Sequence, residues 1–210
     1  MSLQQNEEWF QARRGKFTGS NFKLILSKGR GKLFTDQGFS YIRKVVAERM
    51  GSYEFPTSNK ACEWGNQNEP LAVEHYEMNT GYTVEETGFV LHSKYDFAGC
   101  SVDGLIVGEN GIVEVKNPYN PANFIRYATD EAYILKEHGS QIYGNMWVME
   151  SDFCDFIAYD KRNERKPIFI KRFYRDEEKI ALLEERVLLA ESVANQMYEE
   201  ILNPNCNSEF

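Results

Sequence analysis

Near Tyr82 the spacing of apolar residues changes from three and four to two, and this switch limits the chain to folds that set helices against a sheet. Upstream, Phe39, Ile42, Val46 and Met50 form one apolar stripe on a helix that Thr35 can cap and Gly51 can close. Thr18 is placed to cap a shorter helix through Leu26, followed by a Gly-rich loop over 28–32. Pro70 suits the first turn of another helix running to about Thr80, because proline lacks only an N–H that has no partner there; Glu69 then stands at that helix's start. Downstream, Tyr82-Thr83-Val84, Phe89-Val90-Leu91, Phe97-Ala98-Gly99, Leu105-Ile106-Val107 and Ile112-Val113-Glu114-Val115 alternate between turn signals, which predicts a β-meander. A helix is expected over 139–149, strands over 153–159 and 168–173, and a long helix over 176–202. The order predicts an α/β fold with a central mixed sheet.

The length of 210 residues fits a single domain, 1–210, with a basic helical part at 1–80, a sheet at 81–175 and a C-terminal helix at 176–203. Hydrophobic content of 42% with 27% charged residues is ordinary globular composition, and no apolar run approaches the roughly 20 residues of a membrane span. The polar start of the chain lacks a signal-peptide pattern, so a cytoplasmic location is expected. Cys62, Cys100, Cys154 and Cys206 are too scattered for a zinc or disulfide framework and are expected as reduced thiols.

A net charge of -8 argues at first against a nucleic-acid partner, which is bound through Lys and Arg. The charge is unevenly spread. Residues 9–49 hold ten Lys and Arg against only Asp36 and Glu48, a net +8, while 176–210 hold nine acids against Lys179 and Arg186. Either stretch is compatible with a solvated helix face, but opposite fields at the two ends also suit contact with a partner.

Alternation puts Glu114 and Lys116 on one face of a strand and Val113 and Val115 on the other. A hairpin turning at Glu109-Asn110-Gly111 would bring Asp103 beside Glu114, and two adjacent carboxylates repel unless a cation lies between them. A hard divalent ion such as Mg²⁺ suits Asp103, Glu114 and the backbone carbonyl of Val115, with Lys116 placed to orient or activate water or to stabilise charge on a phosphate. Taken alone, this pattern is equally an alternating charged hairpin. Three features strengthen it: Trp64-Gly65-Asn66-Gln67-Asn68-Glu69, which delivers a further carboxylate; Gln141, on a helix after the Glu114-Val115-Lys116 strand; and Arg13-Arg14-Gly15-Lys16-Phe17-Thr18-Gly19-Ser20, a basic pair leading to hydroxyls and backbone N–H groups of the kind that bind phosphate.

This ordered set resembles the phage lambda exonuclease family, the YqaJ-type viral recombinases of the PD-(D/E)xK nuclease superfamily. The resemblance runs from about Trp9 to Asp160. It implies a restriction-endonuclease-like core, with Glu69, Asp103 and Glu114 holding one or two Mg²⁺ ions, for which Mn²⁺ can substitute. Lys116 and Gln141 would assist the attacking water, and Arg13, Ser20 and Ser101 would hold a DNA 5′-phosphate. Val102 stands where many relatives have proline, which bears on local rigidity rather than on ligands. The implied activity is a 5′ to 3′ exonuclease on linear double-stranded DNA that releases 5′-mononucleotides and leaves 3′ tails for a phage-type single-strand annealing protein. A homotrimer in a bacterial host cytoplasm is implied too. The rival readings are an endonuclease of restriction or repair type with the same metal site and a non-catalytic DNA-binding module.

Overall fold

The computed structural model describes residues 3–53 and 59–204; Cys206 lies outside them. The chain runs α1 (Glu7–Arg13), β1 (Phe17–Thr18), a 3-10 turn (Gly19–Asn21), α2 (Phe22–Leu26), α3 (Asp36–Arg49), α4 (Lys60–Thr80), β2 (Val84–Glu85), β3 (Val90–Leu91), β4 (Ala98–Cys100), β5 (Gly104–Ile106), β6 (Gly111–Lys116), α5 (Pro121–Thr129), α6 (Glu131–Met149), β7 (Phe153–Tyr159), β8 (Ile168–Tyr174) and α7 (Glu177–Leu202).

The strands do not form one meander. A five-stranded mixed sheet has the order β2-β5-β6-β7-β8, while β3 and β4 join β1 in a separate three-stranded sheet. Alternation identifies strands but not their partners. Here the small residues of β4 set the pairing: a side chain on Gly99 would meet the Phe89 ring and the Val90 carbonyl, so only glycine lets β3 come this close. In the larger sheet β6 and β7 are parallel, and the crossover that parallel pairing requires is supplied by α5 and α6. That crossover lays α6 over the face carrying Ile112, whereas Val113 and Val115 pack with Ala72 and Tyr76 of α4 in a second cluster.

Local signals explain most element ends and three departures. Thr35 Oγ1 accepts from Gly38 N at 3.1 Å and starts α3 as expected, and Gly51 follows its end at φ +93°. Thr18 caps nothing with its side chain; it ends β1, and its Oγ1 accepts from Asn21 Nδ2 at 2.9 Å. Pro70 does not start a helix but lies inside α4, which begins at Lys60 with Asn59 Oδ1 accepting from Ala61 N and Cys62 N. The proline deprives only the Asn66 carbonyl of its helical donor. Helix α6 begins earlier than expected because Asp130 caps it, and α5 is capped by Asn120 with Pro121 in its first turn.

Helix α7 is not simply an acidic solvated face. It buries Ile180, Leu183, Val187, Ala190 and Ala194, and its Arg186, 1% exposed, donates to the carbonyls of Ile25 and Leu33 at 2.9 and 2.8 Å. Glu191 pairs with Arg49 at 2.6 Å, so part of the opposition between basic and acidic ends is met within the chain. No helix among the described residues is long and apolar enough to cross a membrane. Cys62 is exposed, and Cys100 and Cys154 are buried, all as free thiols.

Candidate active site

The β5–β6 hairpin pairs Gly104 with Val113, and this register carries Asp103 opposite Glu114. Asp103 N donates to the Val113 carbonyl at 3.3 Å, while its carboxylate Oδ2 accepts from Val115 N at 2.5 Å. Glu114 is fully buried. Its Oε1 is in close contact with the Lys116 ammonium, and its Oε2 accepts from Asn145 Nδ2 of α6 at 2.9 Å. Glu69 comes from the middle of α4 rather than from a helix start, so a favourable helix dipole does not account for an acid at this position. Glu69 and Asp103 line one cavity of about 470 Å³, together with Asn66, Glu86 and residues 4 and 5 of the chain's start.

The electrostatics of the three carboxylates are those of a site short of positive charge. Burial and the neighbouring Asp103 push Glu69 up to about 8. Burial raises Glu114 to about 7 against the pull of Lys116, and raises Asp103 as well. Lys116 would be lowered by its burial, but Glu114 and Asp103 outweigh that and hold it above its usual range. Among the described residues no three His, Cys, Asp or Glu side chains are drawn together as a finished metal shell. The donors nevertheless fit a hard cation. All are carboxylates, Asp103 raises the proton affinity of both Glu69 and Glu114, and Asn145 Oδ1 beside them is buried with no hydrogen-bond partner among the described residues.

Arg13, Ser20 and Ser101 form a second cluster. Arg13 donates to Ser101 Oγ at 3.0 Å and to Ser20 Oγ at 3.4 Å, and its guanidinium lies 4.2 Å from the centre of the Trp9 ring. Trp9 Nε1 also donates to Ser101 Oγ, at 2.8 Å. Among the described residues Arg13 forms no ion pair with a carboxylate. Ser101 and Asp103 are separated only by the buried Val102, so a single residue joins the two clusters.

Gln141 lies one turn before Asn145 on α6, half-buried, on the same side of that helix. Sequence reasoning passed over Asn145, although it is the α6 residue that touches Glu114. Its signal was a polar residue within the buried run Ile142 to Val148. Gly19 was also passed over: a Cβ there would stand 2.3 Å from Asn145 Oδ1, so only glycine admits that side chain.

A model of the YqaJ-like viral recombinase domain matches residues 8–152. The chain belongs to this family. Among curated proteins, YqaJ-family relatives include the uncharacterized protein YqaJ of Bacillus subtilis (strain 168), 26% identical over 138 residues, 64% of this chain and 41% of that protein. The uncharacterized protein R354 of Acanthamoeba polyphaga mimivirus is 21% identical over 73% of this chain and 28% of its own. The chain thus spans less than half the length of the curated relatives it matches. Among solved structures, the alkaline exonuclease LHK-Exo of Laribacter hongkongensis superposes with a TM-score of 0.82 at 28% identity, covering 95% of this chain and 97% of that one. Its complex with dAMP gives 0.83 at 30%, covering 93% and 96%. A phage-related exonuclease of Haemophilus somnus 129PT shares the fold, with a TM-score of 0.73 at 20% identity over 89% and 96%. The family's matched span includes every candidate site residue, from Arg13 to Asn145.

Proposed function

We propose that this chain is a Mg²⁺-dependent exonuclease that degrades linear double-stranded DNA from its 5′ end. The observation that carries the reading is the connection of the two clusters: Ser101, bonded to Arg13, lies two residues from Asp103, bonded to the strand of Glu114 and Lys116. Two residues of chain span at most roughly 7 Å. A terminal phosphate held by Arg13, Ser20 and Ser101 therefore places the first phosphodiester beside the carboxylates, an arrangement suited to cutting from an end rather than within a strand. LHK-Exo, which shares the fold over nearly the whole chain and has been crystallised with dAMP, supports a mononucleotide product.

In this reading Glu69, Asp103, Glu114 and the Val115 carbonyl would hold one or two Mg²⁺ ions, with Mn²⁺ as a substitute. The ion supplies Lewis-acid activation of water and neutralises phosphate charge. Lys116 exchanges its contact with Glu114 for the water or the phosphate and stabilises the charge that develops there. Gln141 assists in orienting the water, and the Asn145 hydrogen bond favours the ionised form of Glu114 and aims it. Arg13 fixes the strand's register and thereby the direction of cutting. The 3′-tailed product suits a phage-type single-strand annealing protein, and a homotrimer in a bacterial host's cytoplasm belongs to the same reading.

The test is digestion in Mg²⁺ of 5′-phosphorylated linear, 5′-hydroxyl linear and covalently closed circular duplexes, with each strand end labelled. The expected result is loss of the 5′ label from the phosphorylated linear duplex first and no cutting of the circle. Cutting of the circle would support the endonuclease reading instead.

A further inference from the structure

A basic surface outside the two clusters remains unaccounted for. The turn between β7 and β8 carries Lys161, Arg162, Arg165 and Lys166 against Asp160 and Glu164, within a chain whose net charge is -8. Asp160 is consumed internally: both its oxygens accept from Arg162, at 2.7 and 2.9 Å. Lys161, Arg165 and Lys166 have no acidic partner among the described residues. Arg162 is a tether. It donates to the carbonyls of Pro118 and Tyr119 at 2.9 and 3.0 Å and so fastens the turn to the segment leaving β6 directly after Lys116.

Aromatic rings interleave with these cations. Lys161 and Arg162 lie 5.0 and 4.5 Å from the centre of the Trp64 ring. Tyr119 meets Trp64 edge-on at 6.3 Å and is 53% exposed. Asn117 Nδ2 donates to the Gly65 carbonyl at 3.0 Å, joining this patch to the helix that carries Glu69. Trp64 Nε1 and Asn117 Oδ1 are buried polar atoms with no hydrogen-bond partner among the described residues. An open aromatic face beside unpaired cations suits an unpaired base with its phosphates, whereas the bases of a duplex present no free face.

We propose that Tyr119 and the 161–166 turn form a binding surface for single-stranded DNA, one base stacking on Tyr119 and neighbouring phosphates resting on Lys161, Arg165 and Lys166. The proposal rests on the nuclease reading in that the strand is one leaving the site past Lys116. It is tested on the full chain by fluorescence anisotropy with a labelled 5′-hydroxyl oligothymidylate of about 20 nucleotides, over a salt series in EDTA. The variants are Tyr119→Ala and the combined Lys161→Ala, Arg165→Ala and Lys166→Ala, with circular dichroism melts to establish folding. Each phosphate contact on a single strand contributes about 0.7 to the slope of log affinity against log salt. The triple variant is therefore expected to lower that slope by about 2. Tyr119→Ala is expected to weaken binding about fivefold or more with the slope unchanged, as loss of one stacked base does. Wild-type affinity and slope in both variants would overturn the proposal, as would displacement of the oligonucleotide by equal amounts of blunt duplex. Nucleotide release from linear duplex in Mg²⁺, measured in parallel on the wild type, separates the two claims. Release with unaltered variant binding refutes this surface alone, and intact variant effects without release refute the nuclease reading while the surface stands.

Discussion

Asn145→Ala separates the proposed metal site from the fold that carries it. Among the described residues the wild-type side chain makes one bond, Nδ2 to Glu114 Oε2 at 2.9 Å, and leaves Oδ1 buried without a partner. A hydrogen bond to a charged group is worth about 1.5–3 kcal/mol, and a buried unsatisfied oxygen costs about 1–3 kcal/mol. Truncation removes both, so the two effects oppose each other in the stability of the metal-free protein. The net change is expected within about 1.5 kcal/mol, or roughly 5 °C in melting temperature at this chain length. Metal binding has no such offset, because it requires Glu114 ionised and oriented, and the lost bond favoured that form. Affinity is expected to fall about 10- to 100-fold. Isothermal titration with Mn²⁺ near pH 7.5 and differential scanning calorimetry measure the two quantities on one preparation. Mn²⁺ affinity within twofold of wild type, in a variant that melts normally, would refute the assignment of Asn145 as the residue that positions Glu114.

Gly19→Ala acts on the same contact from the other side: its Cβ would lie 2.3 Å from Asn145 Oδ1. A fall in Mn²⁺ affinity comparable to that of Asn145→Ala is expected from titration, and unchanged affinity would mean that α6 gives way without moving Asn145. The raised carboxylates set a pH dependence. Glu69 at about 8 and Glu114 at about 7 each contribute stability that is complete below the ordinary carboxylate range and is lost as pH rises through those values. In EDTA the melting temperature should therefore fall between pH 6 and 9, and Mg²⁺ should raise it more at pH 9 than at pH 6, because the ion binds the deprotonated form; a metal-free melting temperature that rises across this range contradicts the assignment. Arg13→Ala should abolish the preference for 5′-phosphorylated over 5′-hydroxyl ends, measured by competing the two substrates, while leaving Mn²⁺ affinity unchanged.

The site was legible in the sequence to the extent that it lies on one hairpin. Alternation along β6 and the turn at Asn110-Gly111 suffice to place Asp103, Glu114 and Lys116 together, and the register agrees. The Arg13–Ser20 segment was legible as a basic pair leading to hydroxyls and backbone N–H groups, whereas Ser101 came from family resemblance alone, since nothing local joins α1 to the end of β4. Asn145 was hidden because periodicity marks buried positions by apolarity, and a buried asparagine reads as a gap in the stripe. The helix of Glu69 was begun too late because Pro70 imitates a first-turn proline, while the real cap, Asn59, stands before a stretch with little apolar period. The single meander failed because short strands carry no record of their partners; Gly99 decided that β4 should face β3 and β1 instead of continuing the larger sheet. The α6 start at Asp130 and the Asn120-Pro121 cap of α5 were present as ordinary capping signals and were not weighed.

The central claim is that Asp103, Glu114 and Lys116 form a metal-dependent centre for cutting DNA, and it is tested most directly by acid-soluble nucleotide release from 5′-phosphorylated linear duplex. Wild type, Asp103→Ala and Lys116→Ala are compared in Mg²⁺ and in EDTA, with calorimetry to show that each is folded. The expected result is release by the wild type in Mg²⁺ only, and a loss of at least about a thousandfold in either folded variant, as befits removal of a metal ligand or of the group that stabilises transition-state charge. Full release by either variant, or by the wild type in EDTA, would contradict the account.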